Sequence, residues 1–234
     1  MRNIHLAAAA VLITLGSLSA HADVLYQTGF EPPVYSVGPL NGQDGWSSPS
    51  LGQVETTTVL SGSQAVSVTL SALVFPAHVL AYDSSSNPGA IVQIRDDILL
   101  TGSLSAQVEG IALFGNAGFI GQLVAQGSSF QLALASTAVG SIAVTPDVWH
   151  ALELDINFVT QTQTAYVDGV FLGQGPLAHP TTSLTSVDLG GYGSAGLNET
   201  AFFDDFNATV PEPASMALLG AGLAGLGLVR RKRA

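Results

Sequence analysis

Two carboxylates placed two residues apart are the feature of the sequence best suited to chemistry. Glu153 and Asp155 belong to a run, Glu-Leu-Asp-Ile-Asn, in which polar and apolar residues alternate. Because alternate residues of a β-strand project from one face, Glu153, Asp155 and Asn157 are expected to share a face. Two carboxyl groups about 5 Å apart can hydrolyse a glycosidic bond, one as the nucleophile and the other as the acid and base. Glycoside hydrolysis is therefore the first chemistry that the pattern suggests.

The run lacks the residue that this chemistry needs for proton transfer. It resembles the strand of retaining β-glucanases, which carries Glu, Asp and a second Glu at alternating positions. Here Asn157 and Phe158 occupy the two places where the second Glu would stand, and neither side chain can protonate a leaving group. We therefore interpret the run as a polar row on a half-buried strand. A divergent glycoside hydrolase with a broken motif remains the alternative.

The sequence gives less support to other kinds of catalytic site or metal site. The chain has no cysteine, which excludes a thiolate metal site, a cysteine nucleophile and a disulfide scaffold. His78, His150 and His179 do not have the spacing of a zinc-hydrolase helix. The segment 190–194 does not fit a nucleophile elbow and is predicted to be a loop.

Carbohydrate binding needs an exposed aromatic ring beside polar groups. Tyr192 lies in the glycine-rich segment 190–194 and is the aromatic residue that we expect to be most exposed. The other aromatic candidates are Tyr35, Trp46, Tyr82 and Trp149.

The elements around the carboxylates are predicted to be β-strands. Period-two alternation and short turns rich in Gly, Pro, Asn and Ser recur along the body, and no amphipathic helix stands out. The clearest stretch, 148–172, predicts three successive strands with Asp168-Gly169 as a type I′ hairpin turn. This regular spacing favours a sandwich or barrel over alternating strands and helices.

Three segments resemble concanavalin-A-like and laminin-G-like jelly rolls: 149–172, the opening 30–46 and the closing 201–207. The resemblance implies an all-β jelly-roll β-sandwich whose first and last strands pair. It also implies a structural Ca²⁺ where those strands meet, with Glu31 and Asp205 (or Asp204) as ligands. Carboxylate oxygens suit Ca²⁺. The alternative interpretation is that these carboxylates are solvated and keep the domain soluble.

The charge of the body excludes two classes of partner. The chain has 17 acidic and 6 basic residues, but five of the basic residues lie in the two ends. Residues 23–210 contain 16 acidic residues and one base, Arg95, so their net charge is −15, against −11 for the whole chain. A body with one base cannot neutralise a run of phosphates, so nucleic acid and anionic lipid surfaces are excluded as partners.

The N-terminal residues predict export. Residues 1–22 combine one positive charge, a short apolar run and small residues at Ala20 and Ala22, immediately before Asp23. This is the composition of a secretory signal peptide that signal peptidase removes before Asp23. A transmembrane anchor is the alternative, but the apolar run is too short to span a bilayer.

The C-terminal residues 211–234 combine three features in a fixed order. Pro211, Glu212 and Pro213 precede an apolar, glycine-rich stretch over 214–229, which is predicted to be a short transmembrane helix. The basic tail 230–234 follows and is expected to stay in the cytoplasm; its charged residues are Arg230, Arg231, Lys232 and Arg233.

This combination resembles the PEP-CTERM protein-sorting signal. The resemblance implies recognition by a membrane-embedded exosortase, followed by release or transfer to the surface of a Gram-negative bacterium. A plain C-terminal membrane anchor is the alternative, although an anchor needs neither the Pro-Glu-Pro sequence nor so short an apolar stretch.

Together these features predict an exported, non-catalytic protein of the cell surface or biofilm matrix. It has a signal peptide (1–22), a β-sandwich (23–210) and a sorting signal (211–234). The precursor is expected at the inner membrane, and exopolysaccharide is the expected ligand class. A structural Ca²⁺ is the one cofactor considered. The alternatives are the divergent glycoside hydrolase and a purely structural matrix protein.

Overall fold

Fifteen β-strands form the described part of the protein. The structure is a computed structural model, and it describes residues 22–47, 52–69, 76–85, 91–101, 108–133, 138–192 and 200–211. Within these residues no helix occurs, and hence none that could span a membrane. The predicted signal peptide up to residue 21, and the sorting signal beyond Pro211 with its predicted helix over 214–229, lie outside the described residues.

The strands follow the alternation of the sequence closely. They are β1 Asp23–Thr28, β2 Gly38–Pro39, β3 Gly52–Glu55, β4 Ala65–Thr69, β5 Ala77–Asp83, β6 Ile91–Thr101, β7 Val108–Gly115, β8 Gly118–Gln126, β9 Ser129–Ala133, β10 Ala138–Ala143, β11 Trp149–Asn157, β12 Thr162–Val167, β13 Val170–Pro176, β14 Ser183–Tyr192 and β15 Thr200–Val210. The three successive strands predicted over 148–172 are confirmed as β11, β12 and β13.

The strands form two antiparallel sheets, so the predicted all-β sandwich is confirmed. The larger sheet has nine strands in the order β13-β12-β11-β6-β15-β4-β3-β2, and β1 pairs with β15 beside this path. The smaller sheet has six strands in the order β10-β9-β8-β7-β14-β5.

The core lies on the inner faces because apolar residues alternate inward. In β11, Leu152, Leu154 and Ile156 are fully buried, whereas Glu153 and Asp155 between them remain partly exposed. Each buried Leu or Ile contributes about 1.5–3 kcal/mol relative to an exposed one. This alternation fixes the register, since a slip of one residue would bury the two carboxylates.

The first and last strands pair, as the resemblance to jelly rolls implies. β1 runs antiparallel to the last residues of β15, from Asp23 opposite Val210 to Thr28 opposite Phe206. On the same side of β15, β4 pairs with the earlier residues 200–203. Residues 204–205 therefore lie at the junction between β1 and β4.

The predicted hairpin turn is confirmed. Asp168 and Gly169 have φ angles of 53° and 73°, as a type I′ turn requires. The two-residue turn places Val167 opposite Val170 and Tyr166 opposite Phe171. Asp168 Oδ1 also accepts a hydrogen bond from the backbone N–H of Ala151 at 2.9 Å, which ties the turn to β11.

The loop predicted over 190–194 is wrong for its first three residues. Gly190, Gly191 and Tyr192 continue β14 and pair with β7, with Gly190 opposite Gly110. A Cβ at Gly110 would lie 2.1 Å from the backbone oxygen of Leu123, so glycine is needed there for close backbone packing. The glycines therefore belong to a crowded sheet and do not form a flexible loop.

Candidate functional site

The outer face of β6, β11, β12 and β13, here called the polar face, carries the two carboxylates. Strand pairing places Arg95, Glu153, Tyr166 and Phe171 in one row across these four strands. A second row contains Gln93, Asp155, Thr164 and Gln174.

Hydrogen bonds from β6 hold the two carboxylates of β11. Gln93 Nε2 donates to Glu153 Oε1 at 2.9 Å and to Asp155 Oδ1 at 3.1 Å. Because both oxygens contact one nitrogen, they lie within about 6 Å of each other, close to the 5–5.5 Å of retaining glycosidases. Arg95 Nε donates to Glu153 Oε2 at 2.8 Å and pairs with its charge.

The two carboxyl groups differ in electrostatic environment. Partial burial raises the pKa of Asp155, and the nearby charge of Glu153 adds to this effect. The hydrogen bond from Gln93 and the charge of Arg95 oppose the shift without cancelling it. The charge of Asp155 is therefore only partly compensated. Glu153 accepts a hydrogen bond at each of its two oxygens.

The positions where a second catalytic Glu would stand have structural roles. Asn157 Oδ1 accepts hydrogen bonds from the backbone N–H groups of Val159 at 2.9 Å and Thr160 at 3.0 Å. These bonds cap the turn between β11 and β12. Phe158 is buried and packs against Tyr82, with ring centroids 5.4 Å apart. The polar face thus presents a carboxylate pair without a proton donor at the third position.

Two aromatic rings adjoin this pair on the polar face. Tyr166 and Phe171 are packed edge to face, with centroids 5.8 Å apart and an interplanar angle of 69°. Phe171 is 59% exposed. A bulge in β13 lets Leu172 and Gly173 both face inward, so Phe171 and Gln174 point outward.

This aromatic pair is not among the residues predicted from the sequence. The type I′ turn predicted at Asp168-Gly169 would have revealed the pair, because a two-residue turn after Val167 places Tyr166 opposite Phe171. Of the aromatic residues that we proposed for carbohydrate, the structure buries Tyr35, Trp46 and Tyr82 in the core. The side chain of Tyr192 lies outside the described residues, so its predicted role stays a prediction.

A second cluster of carboxylates, here called the acidic junction, lies where β1 and β4 meet β15. Asp204 Oδ2 accepts hydrogen bonds from the backbone N–H groups of Leu60 and Ser61. Glu31 accepts three from Ser63 and Gln64, at 2.6–2.9 Å. Although desolvation opposes the shift, these bonds lower the pKa of Glu31.

Glu31 and Asp205, the predicted calcium ligands, are brought close together. A Cβ at Gly29 would lie 3.3 Å from Asp205 Oδ1 and 3.7 Å from Glu31 Cγ, so both side chains border this glycine. Asp205 Oδ1 accepts a hydrogen bond from Ser61 Oγ at 2.9 Å. In the described part of the chain, however, no three His, Asp or Glu side chains are grouped so that they could share a metal ion.

The neighbouring strand β6 adds Asp96 and Asp97 to the acidic junction. Asp96 is 1% exposed, and neither carboxyl oxygen makes a hydrogen bond of good geometry with a described residue. The backbone N–H of Asp97 lies near enough to oppose the rise of the Asp96 pKa without cancelling it. Burial, followed by repulsion from Asp97, Asp204 and Asp205, raises the pKa of Asp96 well above its usual range. Burial and repulsion from Asp205, Asp204 and Asp168 raise the pKa of Asp97 to about 6.

The last residues of β15 belong to a segment, residues 209–233, that matches the model of a known protein family. The chain carries a PEP-CTERM protein-sorting motif. The motif begins inside β15, at Thr209, and continues through Pro211, Glu212 and Pro213 into the basic tail. A PEP-CTERM motif implies export and exosortase-dependent placement at the surface or outside a Gram-negative cell. It covers the tail and assigns no activity to the β-sandwich.

The body resembles known β-sandwiches in fold. The protein titled "Cellulose induced protein, Cip1" superposes with a TM-score of 0.56 at 17% identity, covering 78% of this chain and 96% of that one. The binding domain of botulinum neurotoxin serotype G gives 0.56 at 10% identity, covering 82% of this chain and 48% of that one. A sialidase gives 0.55 at 10% identity, covering 80% of this chain but 19% of that one. At these identities the likeness shows the fold alone. A comparison with curated proteins finds no match.

The acidic junction should make stability depend on pH. The folded pKa of Asp97 is about 6, whereas an unfolded Asp titrates near 3.9. Between these values the carboxyl group of Asp97 is more protonated in the folded protein than in the unfolded one, so its contribution to stability falls as pH rises to about 6 and then levels off. We expect the free energy of unfolding, measured by urea denaturation with chelator present, to be on the order of 1 kcal/mol larger at pH 5 than at pH 7.

Replacing one carboxyl group tests the assignment of this effect to the junction. The variant Asp97→Asn should lose part of the difference between the two pH values, whereas Asp147→Asn, at an exposed loop position, should keep it. Equal pH dependence in wild type and Asp97→Asn would contradict the assignment.

Proposed function

We propose that the protein is a non-catalytic protein of the cell surface or extracellular matrix that is sorted by an exosortase and binds exopolysaccharide on its polar face. The sorting motif over 209–233 supports the route. The observation that carries the binding function is the pair of exposed Phe171 and half-buried Tyr166, which lies beside a row of hydrogen-bonding side chains.

The chemistry of the polar face suits a polysaccharide. Sugar rings offer apolar C–H faces that pack on aromatic rings, and hydroxyl groups that need polar partners at the edge. Phe171 and Tyr166 supply the rings, and Gln174, Thr164 and Asp155 in the next row supply donors and acceptors. The hydrogen bonds among these polar groups hold them in place before a ligand arrives, as in the contact between Gln174 Nε2 and Thr164 Oγ1 at 3.1 Å.

The same face supports binding without catalysis. The Glu153 and Asp155 carboxylates lie close enough together for a glycosidase pair, but both of the Glu153 oxygens are engaged by Gln93 and Arg95. The position of the missing acid is Asn157, whose oxygen caps a turn. Asp155 would therefore be the only free carboxylate of the pair. Both the retaining and the inverting mechanism of glycoside hydrolysis need two.

Removing the aromatic rings tests the binding function. We expect Phe171→Ala and Tyr166→Ala each to weaken retardation of the full protein in gels containing the host's exopolysaccharide by about tenfold in apparent affinity. Val79→Ala removes a residue that is 71% exposed on β5 of the smaller sheet, and it should leave retardation unchanged. Equal retardation of all three variants and the wild type would contradict the assignment to the polar face.

The sorting route is tested by intact mass. We expect the protein recovered outside the inner membrane of its host to begin at Asp23 and to end near residues 211–213. A species that retains Arg230 to Arg233 and stays in the inner membrane would reduce the motif to an anchor. That result would leave the binding function untouched.

We further propose that one Ca²⁺ binds at the acidic junction through Glu31 and Asp205, with backbone oxygens completing its shell. Crowding of carboxyl groups supports this proposal: Asp96 is buried with no well-formed hydrogen bond from a described residue, and three carboxylates, those of Asp97, Asp204 and Asp205, lie near it. Oxygen ligands and a flexible coordination number suit Ca²⁺. The ion would lower the repulsion that raises the pKa values of Asp96 and Asp97.

Calcium should therefore stabilise the fold. We expect millimolar Ca²⁺ to raise the melting temperature of the chelator-treated protein by several degrees, because a ligand at 100 times its Kd adds about 2.7 kcal/mol. Asp205→Asn should abolish this shift, while Asp147→Asn should keep it. The two positions are matched, since both are exposed and have positive φ angles of 53° and 59°. An unchanged melting temperature with Ca²⁺ would overturn the proposal.

A further inference from the structure

We propose that the polysaccharide bound on the polar face carries free amino groups, so that it is a cationic amino-sugar polymer. This inference rests on the proposed function and specifies the ligand class of the same site. It follows from three observations: the negative charge of the body, the ion pair that its one base Arg95 makes with Glu153, and the position of Asp155 beside the aromatic pair.

The charge of the protein disfavours an acidic polysaccharide. The body has 16 acidic residues and a single base, so its net charge repels any polyuronate or sulfated chain. Recognition of carboxylates and sulfates normally relies on Arg or Lys. Arg95 is the one such residue in the body, and its Nε already donates to Glu153 Oε2 at 2.8 Å.

Asp155 has acceptor capacity left for a cation. Its Oδ1 accepts the hydrogen bond from Gln93, and no other described residue donates to its Oδ2. The carboxylate is partly desolvated and lies near the second negative charge of Glu153, which raises its pKa. An ammonium group beside it would replace lost solvation with a charge-assisted hydrogen bond.

The aromatic pair and Asp155 lie within reach of one sugar ring. Glu153 is directly opposite Tyr166, so Asp155 is the diagonal neighbour of Tyr166 across β11 and β12. Diagonal neighbours have Cα atoms about 7–8 Å apart, a distance that long side chains and a bound ring bridge. A ring packed on Tyr166 and Phe171 can thus direct an amino substituent towards the Asp155 carboxylate.

Two oligosaccharides of equal length provide a matched test, because they differ only in acetylation. We expect the full protein, at slightly acidic pH with chelator present, to bind glucosamine oligomers about tenfold more tightly than N-acetylglucosamine oligomers in titration calorimetry. Asp155→Asn should remove this preference, so that the two oligomers bind with equal affinity. Asp147→Asn, which removes the same charge from an exposed loop, should keep the preference.

Each outcome separates this inference from the proposed function. Equal affinity for the two oligomers, with binding lost in Phe171→Ala, would overturn the cationic ligand and keep the polysaccharide-binding face. Tighter binding of an oligouronate would also overturn it. A preference lost equally in Asp147→Asn would show unspecific attraction to the net charge and would overturn the role of Asp155. If none of the three oligosaccharides, nor the host's own exopolysaccharide, binds, the proposed function itself falls.

Discussion

The pairing of β15 with β6 is the interaction on which the rest of the structure depends. β15 lies inside the larger sheet, with β6 along one side and with β4 and then β1 along the other. Its hydrogen bonds join the N-terminal strands of the larger sheet to β6 and, through β6, to the strands of the polar face. The change of partner from β4 to β1 leaves a gap in the ladder at Asp204 and Asp205, and the acidic junction forms there. One strand thus positions both clusters of carboxylates.

The polar face shows how a reactive pattern becomes a binding surface. In β11 the sequence places two carboxylates at the spacing that cleaves glycosidic bonds, yet the strand ends at Asn157 in a capped turn. Gln93 and Arg95 on β6 then act as fixed donors that hold the carboxylates and reduce their mutual repulsion. Held in this way, the groups are suited to orienting polar ligands and poorly suited to exchanging protons with them.

The sequence predicts those parts of the fold that local periodicity specifies. Alternation over 148–172 and the Asp168-Gly169 turn are enough to place three strands and their outward residues. The two ends of the body resemble paired jelly-roll strands, and β1 and β15 do pair. Contacts between residues far apart in the chain cannot be predicted in this way. No local pattern in the sequence places Asp96 near the bulge of β15, and none shows that Gly190 pairs with Gly110. The glycines at the end of β14 therefore suggest a loop from sequence alone, and the full burial of Asp96 is visible only in three dimensions.

The position of β15 has a consequence for when the protein can fold. The last of the described strands, residues 200–210, belongs in the middle of the larger sheet and not at its edge. Until it is available, β6 lacks a partner on one side, and β1 and β4 have no strand to join. Such non-local pairing is slow, because a long loop must close before its contacts form. The larger sheet therefore cannot be completed before residues 200–210 have been made, and the sorting motif follows these residues directly in the chain.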